Sequence, residues 1–273
     1  MATQLRDELV YGVRQPCCRF GRRKHGLRTP DAPIHARFGV GLVLLGAVVG
    51  VFLTVSSVHA QHLPRGAKPE TVEPDPSYFT IARLKYPGGG DWYWGSSALP
   101  NLLNYIAENT NISVNKEEVR VEISSDRLFN YPFLWATGHG NIHFSDEEIE
   151  RLRRYLLGGG FLFINDSYGL NPAVQREVKR LFPDRPFVEL PFAHPIYHCW
   201  FDLPNGLPKI HEHDRKPPQG FAVLDGDRVI LFYAYESDIG DGWEDQQVHN
   251  DPPEKREAAL RMGVNLACYV LTR

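Results

Sequence analysis

One stretch, residues 133–148, constrains the fold of this chain more than any other. It opens on four consecutive apolar residues, 133–136, and a run without polar alternation is typical of a strand buried on both faces of a parallel sheet. A Gly-His-Gly follows, and then Ser145 with Glu148 three positions later forms a capping box that predicts the start of a helix. Strand, loop and helix in this order are half of a βαβ unit. In open α/β sheets, ligands bind at the carboxyl ends of the strands, so this loop is a candidate site.

The alternation of strands and helices continues on both sides of this stretch. It predicts an α/β fold with a doubly wound, mainly parallel sheet. Residues 221–224 and 229–235 flank an Asp-Gly pair, which predicts a hairpin. Residues 184–218 hold seven prolines and no clear period, so we expect them to cross the carboxyl edge as a long loop. The other predicted elements are strands at 78–86, 119–123 and 161–164, and helices from Ser96 or Ser97, over 172–182 and over 254–271.

The amino-terminal part of the chain contains an apolar run at residues 38–58 without a charge in 21 residues. A run of this length can cross a hydrocarbon core of about 30 Å. Eight Lys and Arg residues precede it, and the positive-inside rule then places the rest of the chain outside the cytoplasm. The small residues that end at Ala60 equally fit a cleaved signal. The predicted order is a basic cytoplasmic segment (1–37), a transmembrane or signal segment (38–58), a Pro-rich linker (59–76) and an α/β domain (77–273).

This order predicts a globular domain in the periplasm or outside the cell, anchored in the membrane through residues 38–58 or secreted after cleavage. Envelope proteins are then the expected protein partners. The net charge of −3 offers no basic excess, so nucleic acid is not an expected partner. Cys199 and Cys268 can form a disulfide in such a compartment, but their apolar neighbours favour buried free thiols.

Two pairs of histidines invite a metal-site interpretation. His139 and His143 are four residues apart, as are His194 and His198, and imidazoles at this spacing can bind a divalent ion such as zinc. Both pairs fall in loops that contain Gly or Pro, where the helical reason for this spacing is absent. The flanking glycines of His139 let backbone approach a ligand closely. His211 and His213, by contrast, are interpreted as ordinary surface residues.

Three further groups are candidates for ligand binding. Asp166 leaves an apolar strand for a loop, a position that favours function, although it can equally cap the next turn. Asp238 and Asp241 can bind a hard cation such as calcium or belong to a solvated loop. Trp92 follows three glycines and can stack on a sugar ring or pack its loop onto the domain.

Six blocks of sequence resemble the bacterial "domain of unknown function 4159" family over residues 79–272. They are RLKYPGGGDW, YPFLWATGHG, RLRRYLLGGGFLFINDS, HPIYHCWF, SDIGDGWE and ALRMGVNLACYVLT, in that order. The resemblance implies a flavodoxin-like α/β fold similar to class I glutamine amidotransferase domains, often tied to bacterial membranes. It implies no reaction.

In amidotransferase-like domains, the nucleophile lies on a tight elbow with a pattern like Gly-x-Cys-x-Gly. The matching place here is 165–169, where Asn165 and Ser167 stand for the first glycine and the cysteine. A glutaminase of the usual kind is therefore not expected. Ser167 is either a replacement nucleophile or a capping or loop serine.

The leading functional hypothesis is a domain that binds a small polar or glycan-like ligand at the carboxyl edge of the sheet, through His139, Asp166, His194, Asp238 and Trp92. The first alternative is a metal-assisted hydrolase with histidine ligands, in which Asp166, His139 or Ser167 is catalytic. The second is a non-catalytic interaction module of an envelope complex. The first two need the polar side chains to converge on one edge of the sheet, whereas the third needs no small-molecule site.

Overall fold

The computed structural model describes residues 74–273. The predicted basic segment, the apolar span at 38–58 and almost all of the linker lie outside these residues. Within residues 74–273, none of the helices combines the length and the apolar character that crossing a membrane requires.

In this part of the chain, seven strands form one mixed sheet in the order β2-β1-β3-β4-β7-β6-β5. Neighbours from β2 through to β7 in this order are parallel. The last two strands, β6 and β5, are added antiparallel. The mostly parallel sheet that the sequence predicts is therefore confirmed. The strands are β1 (Ile81–Lys85), β2 (Val119–Glu122), β3 (Phe133–Ala136), β4 (Phe161–Asn165), β5 (Val188–Glu189), β6 (Gln219–Asp225) and β7 (Arg228–Tyr235).

Helices cover both faces of this sheet. On one face, Phe163 and Phe232 pack into a core with α1, α4 and α6. On the other face, Leu162 and Leu231 pack against α2 and α3. Alternate residues of a strand thus enter opposite cores, which explains why the central strands are apolar without interruption. The helices are α1 (Ala98–Asn109), α2 (Asp146–Leu157), α3 (Asn171–Leu181), α4 (Ile239–Trp243), α5 (Gln246–His249) and α6 (Pro253–Thr272), with 3₁₀ turns at Asp126–Asn130 and Pro195–Tyr197.

The predicted capping box at the start of α2 is present. The Ser145 hydroxyl accepts from the Glu148 amide at 3.2 Å, and the Glu148 carboxylate accepts from the Ser145 amide at 2.8 Å. Ser97 precedes α1 as predicted but does not cap it. Its hydroxyl instead accepts from the Asp245 amide at 3.0 Å, and so connects the start of α1 to the segment after α4.

The segment at 235–247 is not the solvated acidic loop that the sequence suggested. It contains the helical turn α4, whose Ile239 and Trp243 are buried in the core. These two residues are four positions apart in the sequence, so their side chains lie on the same side of the helical turn. The turn therefore fixes Asp238 and Asp241 against the sheet instead of exposing them.

Arg83 is a fully buried cation in β1. Its guanidinium donates to the carbonyls of Trp92, Trp94 and Gly95 and pairs with Glu118 at 2.8 Å. A charge in the interior must be paired or hydrogen-bonded to be tolerated. Arg83 accordingly holds the loop after β1, which carries Trp94 toward the carboxyl edge.

Candidate functional site

The carboxyl ends of β1, β3, β4 and β7 meet at one edge of the sheet because these strands are parallel. Asp91, His139, Asp166 and Asp238 follow them in turn. Residues 208–216 cross this edge and bring two more histidines to it. The result is a group of eight side chains, here called the carboxyl-edge cluster: His211, His213, His249, Asp166, Asp238, Asp241, Glu244 and Asp251.

The crossing segment is held in place by Glu236, which is fully buried just after β7. Its carboxylate pairs with the Lys209 ammonium and accepts from the backbone amides of Asp214 and Lys216. Burial alone would raise the pKa of Glu236, but Lys209 and these amides outweigh it and lower the pKa. The Ile210 amide also donates to the Ser237 carbonyl at 2.8 Å. These contacts fix the backbone on both sides of His211.

The inner part of the cluster is centred on His213. Its Nε2 lies 3.0 Å from Asp238 Oδ2, and its buried Nδ1 lies 3.7 Å from Asp166 Oδ2, too far for a hydrogen bond. Asp238 Oδ1 accepts from the Asn165 amide group at 2.9 Å. Asp166 accepts from the Tyr233 hydroxyl at 2.7 Å and the Glu236 amide at 2.8 Å. The two carboxylates therefore flank a nearly buried imidazole.

The outer part of the cluster is centred on Asp241. Its Oδ2 lies 3.0 Å from His211 Nδ1 and 3.5 Å from His249 Nε2. Its Oδ1 accepts from the Trp94 indole at 3.2 Å. His211 Nδ1 is also 3.6 Å from Asp238 Oδ2, so the inner and outer parts touch.

The carboxylates change the protonation of the histidines. The neighbouring carboxylates of Asp238 and Asp241, which favour the protonated ring, raise the pKa of His211 to about 10. Burial opposes the same shift in His213, but Asp166 and Asp238 raise its pKa to about 10 as well. Burial would raise the pKa of Asp238, but the two histidines outweigh it and lower the pKa to about 2.

Asp241 differs from Asp238, because its pKa is raised. Burial is the main cause, and the negative charge of Asp238 raises the pKa further, although the hydrogen bond donated by His211 lowers it. The cluster is therefore a region of negative potential that attracts protons or another cation. Three donor atoms in it, one each from His211, Asp241 and His249, lie within 4.8 Å of one another. Within the described residues, this group of side chains is the one that can share a metal ion.

Asp166 and Asp238 are the two predicted site residues that the fold brings together. His139 lies beside them at the next strand end: Asp91 Oδ2 is 3.0 Å from its Nδ1, and its ring meets the Trp94 ring edge-on at 4.8 Å between centroids. The Trp94 indole in turn contacts Asp241. His139 thus borders the cluster through Trp94 without a contact of its own to the carboxylates of Asp166 or Asp238.

The expectation that His194 lies at this edge is wrong. Its ring packs beside Tyr269, and Asp227 of the β6–β7 turn lines the same cavity, so it lies at the opposite end of β7. His198 pairs with Asp202 at 2.6 Å, and His143 with Glu177 at 3.4 Å. None of the four histidines at the predicted four-residue spacing belongs to the group of metal donors.

Trp92 and Ser167 are also placed differently from the ligand-binding and nucleophile hypotheses. The Trp92 ring lies below the Lys85 and Arg120 side chains, 5.4 and 5.8 Å from its centroid, so it packs its loop onto the domain. Ser167 has 0% of its surface exposed, and its Oγ lies 3.3 Å from the Asn165 amide nitrogen. Because its hydroxyl has no access to solvent, Ser167 has a structural role.

Cys199 and Cys268 are free thiols, as expected.

The sequence interpretation missed His211, His213 and His249, and it placed Asp241 in a solvated loop. The sequence did contain one indication of the cluster, since residues 211–214 form the dense run His-Glu-His-Asp. Such a run gives no partner by itself, and the partner here, Glu236, lies more than twenty residues further along the chain.

A large cavity lined by described residues lies away from this cluster. Its volume is about 920 Å³, and residues 74–80, 130–132 and Leu271 line most of it. These residues precede β1 and β3 and end α6, so the cavity is at the amino edge of the sheet. Its lining lacks histidines, and Asp75 is its one acidic residue. The cavity therefore lies at the opposite edge of the sheet from the histidines and buried carboxylates. Their chemistry favours the carboxyl-edge cluster as the candidate site.

A comparison of the chain with family models matches residues 80–271 to "Domain of unknown function (DUF4159)". A comparison with curated proteins finds no match. The matched range contains every strand and every member of the carboxyl-edge cluster. Since the match covers most of the chain and the whole sheet, the protein belongs to the DUF4159 family.

Proposed function

We propose that this domain binds a small polar ligand that is, or carries, a cation, and that the carboxyl-edge cluster is the binding site. One observation carries the proposal: side chains from separate segments of the chain bring five carboxylates against three histidines. Even with every histidine protonated, the carboxylates are in excess by two. Lys255 and Arg256 are near, but they donate to the backbone carbonyls of Ile210 and Glu244.

The energetic cost of this arrangement supports a functional role. Each buried ionised group costs several kcal/mol of desolvation, which pairing offsets only when the geometry is good. Asp166, Asp238 and Asp241 are all buried, and His213 Nδ1 has no hydrogen-bond partner. Apolar side chains would stabilise the same edge better, so the polar set is explained by what it binds.

The accessibility of the cluster limits the size of the ligand. His211 and His249 have 29% and 17% of their side-chain surface exposed, whereas the carboxylates behind them are buried. An ion or a single amine can reach this opening. Exposed Tyr168 lies edge-on to His213 at 6.2 Å between centroids, and its ring can stack on a larger glycan-like ligand.

The test uses the full-length protein in the presence of a chelator. Ethanolamine, glucosamine, arginine and, as a neutral control, glucose are titrated while imidazole nitrogen resonances are followed by NMR. We expect a cationic compound to shift His211 and His213 and glucose to have no effect. Asp238→Asn is expected to abolish the shifts, while Asp202→Asn at the distant His198 pair leaves them unchanged. Shifts that survive Asp238→Asn, or the absence of shifts both with the cationic probes and, without chelator, with zinc, would overturn the proposal.

Metal-assisted hydrolysis is a second candidate, favoured by one observation. The donor atoms of His211, Asp241 and His249 surround one point beside the His213–Asp238 pair, which can take up or release a proton. Chromogenic carboxylic and phosphate esters, assayed with one equivalent of zinc, test it. Hydrolysis that falls at least tenfold in His213→Gln and is unchanged in His198→Gln is the expected result; equal rates in both variants contradict it.

A flavodoxin-like fold of the amidotransferase type is also part of the proposal. The parallel strands run in the order β2-β1-β3-β4-β7, which is the flavodoxin order 2-1-3-4-5 with the last parallel strand renumbered. In the sequence comparison with such domains, Asn165 and Ser167 correspond to the nucleophile elbow, and both are buried. Their burial supports a domain of this type that has no glutaminase nucleophile.

For the location of the protein, we propose that residues 38–58 tether the domain to the membrane with residues 77–273 outside the cytoplasm, in contact with envelope proteins. The charge distribution around the apolar run supports this orientation. Protease added to intact spheroplasts is expected to digest the domain, and protection until lysis would contradict the orientation.

A further inference from the structure

We propose that His211, Asp241 and His249 bind one divalent transition-metal ion of the zinc class. This inference rests on the proposed function, because it identifies the cation that the carboxyl-edge cluster takes. Its two histidines are ones that sequence spacing did not indicate.

Two of the three distances between the donor atoms match those around one ion. A tetrahedral ion with bonds of about 2.0–2.1 Å separates its ligand atoms by roughly 3.3 Å. Asp241 Oδ2 is 3.0 Å from His211 Nδ1 and 3.5 Å from His249 Nε2, and all three atoms lie within 4.8 Å of one another. Asp241 Oδ2 therefore forms the shared corner of a three-ligand set.

Neighbouring side chains turn these atoms inward. Trp94 donates to Asp241 Oδ1 at 3.2 Å, which leaves Oδ2 for the ion. Asp251 Oδ2 lies 3.3 Å from His211 Nε2, which leaves Nδ1 for the ion. A carboxylate behind a ligating imidazole is the usual arrangement at metal centres, because it fixes the ring and its tautomer.

Asp251 supports the orientation that the site requires of His211. Its side chain is about nine-tenths buried, and its Oδ2 has no hydrogen-bond partner of good geometry in the described part of the chain. A proton on His211 Nε2 can serve this oxygen. Nδ1 then faces the carboxylates of Asp241 and Asp238, at 3.0 and 3.6 Å. Either a proton on Nδ1 or a metal ion in its place makes this contact favourable, so the ion binds in exchange for a proton.

The kinds of donor select the metal. Two imidazoles and one carboxylate suit zinc and its first-row neighbours, whereas calcium and magnesium prefer sites made of oxygen alone. Three protein ligands leave one position of a tetrahedral ion for water or a polar ligand. Glu244 Oε2, which is 2.8 Å from His249 Nε2, lies beside that set.

The experiment measures metal binding by the full-length protein. Protein stripped with a chelator is titrated with zinc alone by calorimetry, and with cobalt(II) while its visible absorption is recorded. We expect one equivalent of either ion and the absorption bands of a four-coordinate or five-coordinate cobalt site. His249→Ala is expected to weaken zinc binding by at least a hundredfold, and Asp251→Asn by ten- to a hundredfold. His198→Ala is the matched control and leaves binding unchanged.

Two results would overturn the inference: absence of stoichiometric zinc and cobalt binding, or binding that His249→Ala and His211→Ala both leave intact. His249 is partly exposed at the end of a short helix, so its variant tests the site even where Asp241→Asn fails to fold. If zinc does not bind but a cationic organic probe still shifts the histidine resonances, the metal inference fails and the proposed function survives. If neither binds, both fail.

Discussion

Replacement of Glu236 with Gln tests how the crossing segment at 208–216 is held over the sheet. The Glu236 carboxylate is fully buried, pairs with Lys209 and accepts backbone amides of Asp214 and Lys216. Loss of one partner from a buried ion pair costs about 3–5 kcal/mol. Lys209 keeps a quarter of its side chain exposed, so part of its charge is solvated after the change. We therefore expect the free energy of unfolding to fall by about 2–3 kcal/mol.

The pH dependence of this loss has a definite sign. The folded pKa of Glu236 lies below its ordinary value of 4.5. The carboxylate therefore contributes stability above about pH 4.5, and this contribution is lost as the pH falls through the folded pKa. Glutamine mimics the protonated acid. The difference between wild type and Glu236→Gln should be largest near neutral pH and should shrink below pH 4.5.

Urea denaturation followed by tryptophan fluorescence and circular dichroism, repeated across this pH range, measures the effect. Glu212→Gln is the control, since Glu212 is exposed on the same segment and should change stability by less than about 0.5 kcal/mol. A loss in Glu236→Gln no larger than in this control, or a loss that does not diminish in acid, would refute the assigned role of Glu236.

Three further changes test other parts of the structure by the same denaturation measurement. Ser145→Ala removes the α2 cap and should cost about 1 kcal/mol; an unchanged midpoint would contradict this. Gly138→Ala should lower the free energy of unfolding more than Gly159→Ala does. Both glycines have positive φ, but only at Gly138 would the new Cβ lie 2.5 Å from the Tyr86 hydroxyl. Equal losses in the two variants would exclude the clash. Tyr233→Phe should cost about 1.5–3 kcal/mol by removing a buried hydrogen bond to the Asp166 carboxylate, and a loss as small as that in exposed Tyr168→Phe would show the bond to be neutral.

Much of the fold could be predicted because its signals are local. The apolar run of β3, the capping box of Ser145 and the Asp-Gly turn between β6 and β7 each depend on residues close in sequence. The alternation of such units specifies a mainly parallel sheet. The β1 boundary was less accurate: the strand begins at Ile81, and Phe79 makes only an isolated bridge to Val114.

The site could be predicted only where its residues directly follow strands. Asp166 and Asp238 leave β4 and β7, so the parallel order places them together. His211 and His213 lie in a proline-rich segment without a period, and their position depends on the distant Glu236. Conversely, His194 and His198 have the four-residue spacing of many metal-binding pairs, yet both lie away from the carboxyl edge of the sheet. Spacing is informative only when the backbone conformation between the residues is known.

Backbone geometry agrees with the chemistry in marking the carboxyl-edge cluster. In residues 74–273, the non-glycine residues with positive φ are Arg215, Glu236, Asp238 and Asn250, and all four belong to segments that build the cluster. A left-handed backbone costs roughly 1–2 kcal/mol for a residue with a Cβ, less for Asn and Asp. This cost falls on the same segments that bear the buried carboxylates. Since most of the rest of the sheet is built from regular, unstrained elements, strain and buried charge coincide at the part of the domain to which we assign the proposed binding site.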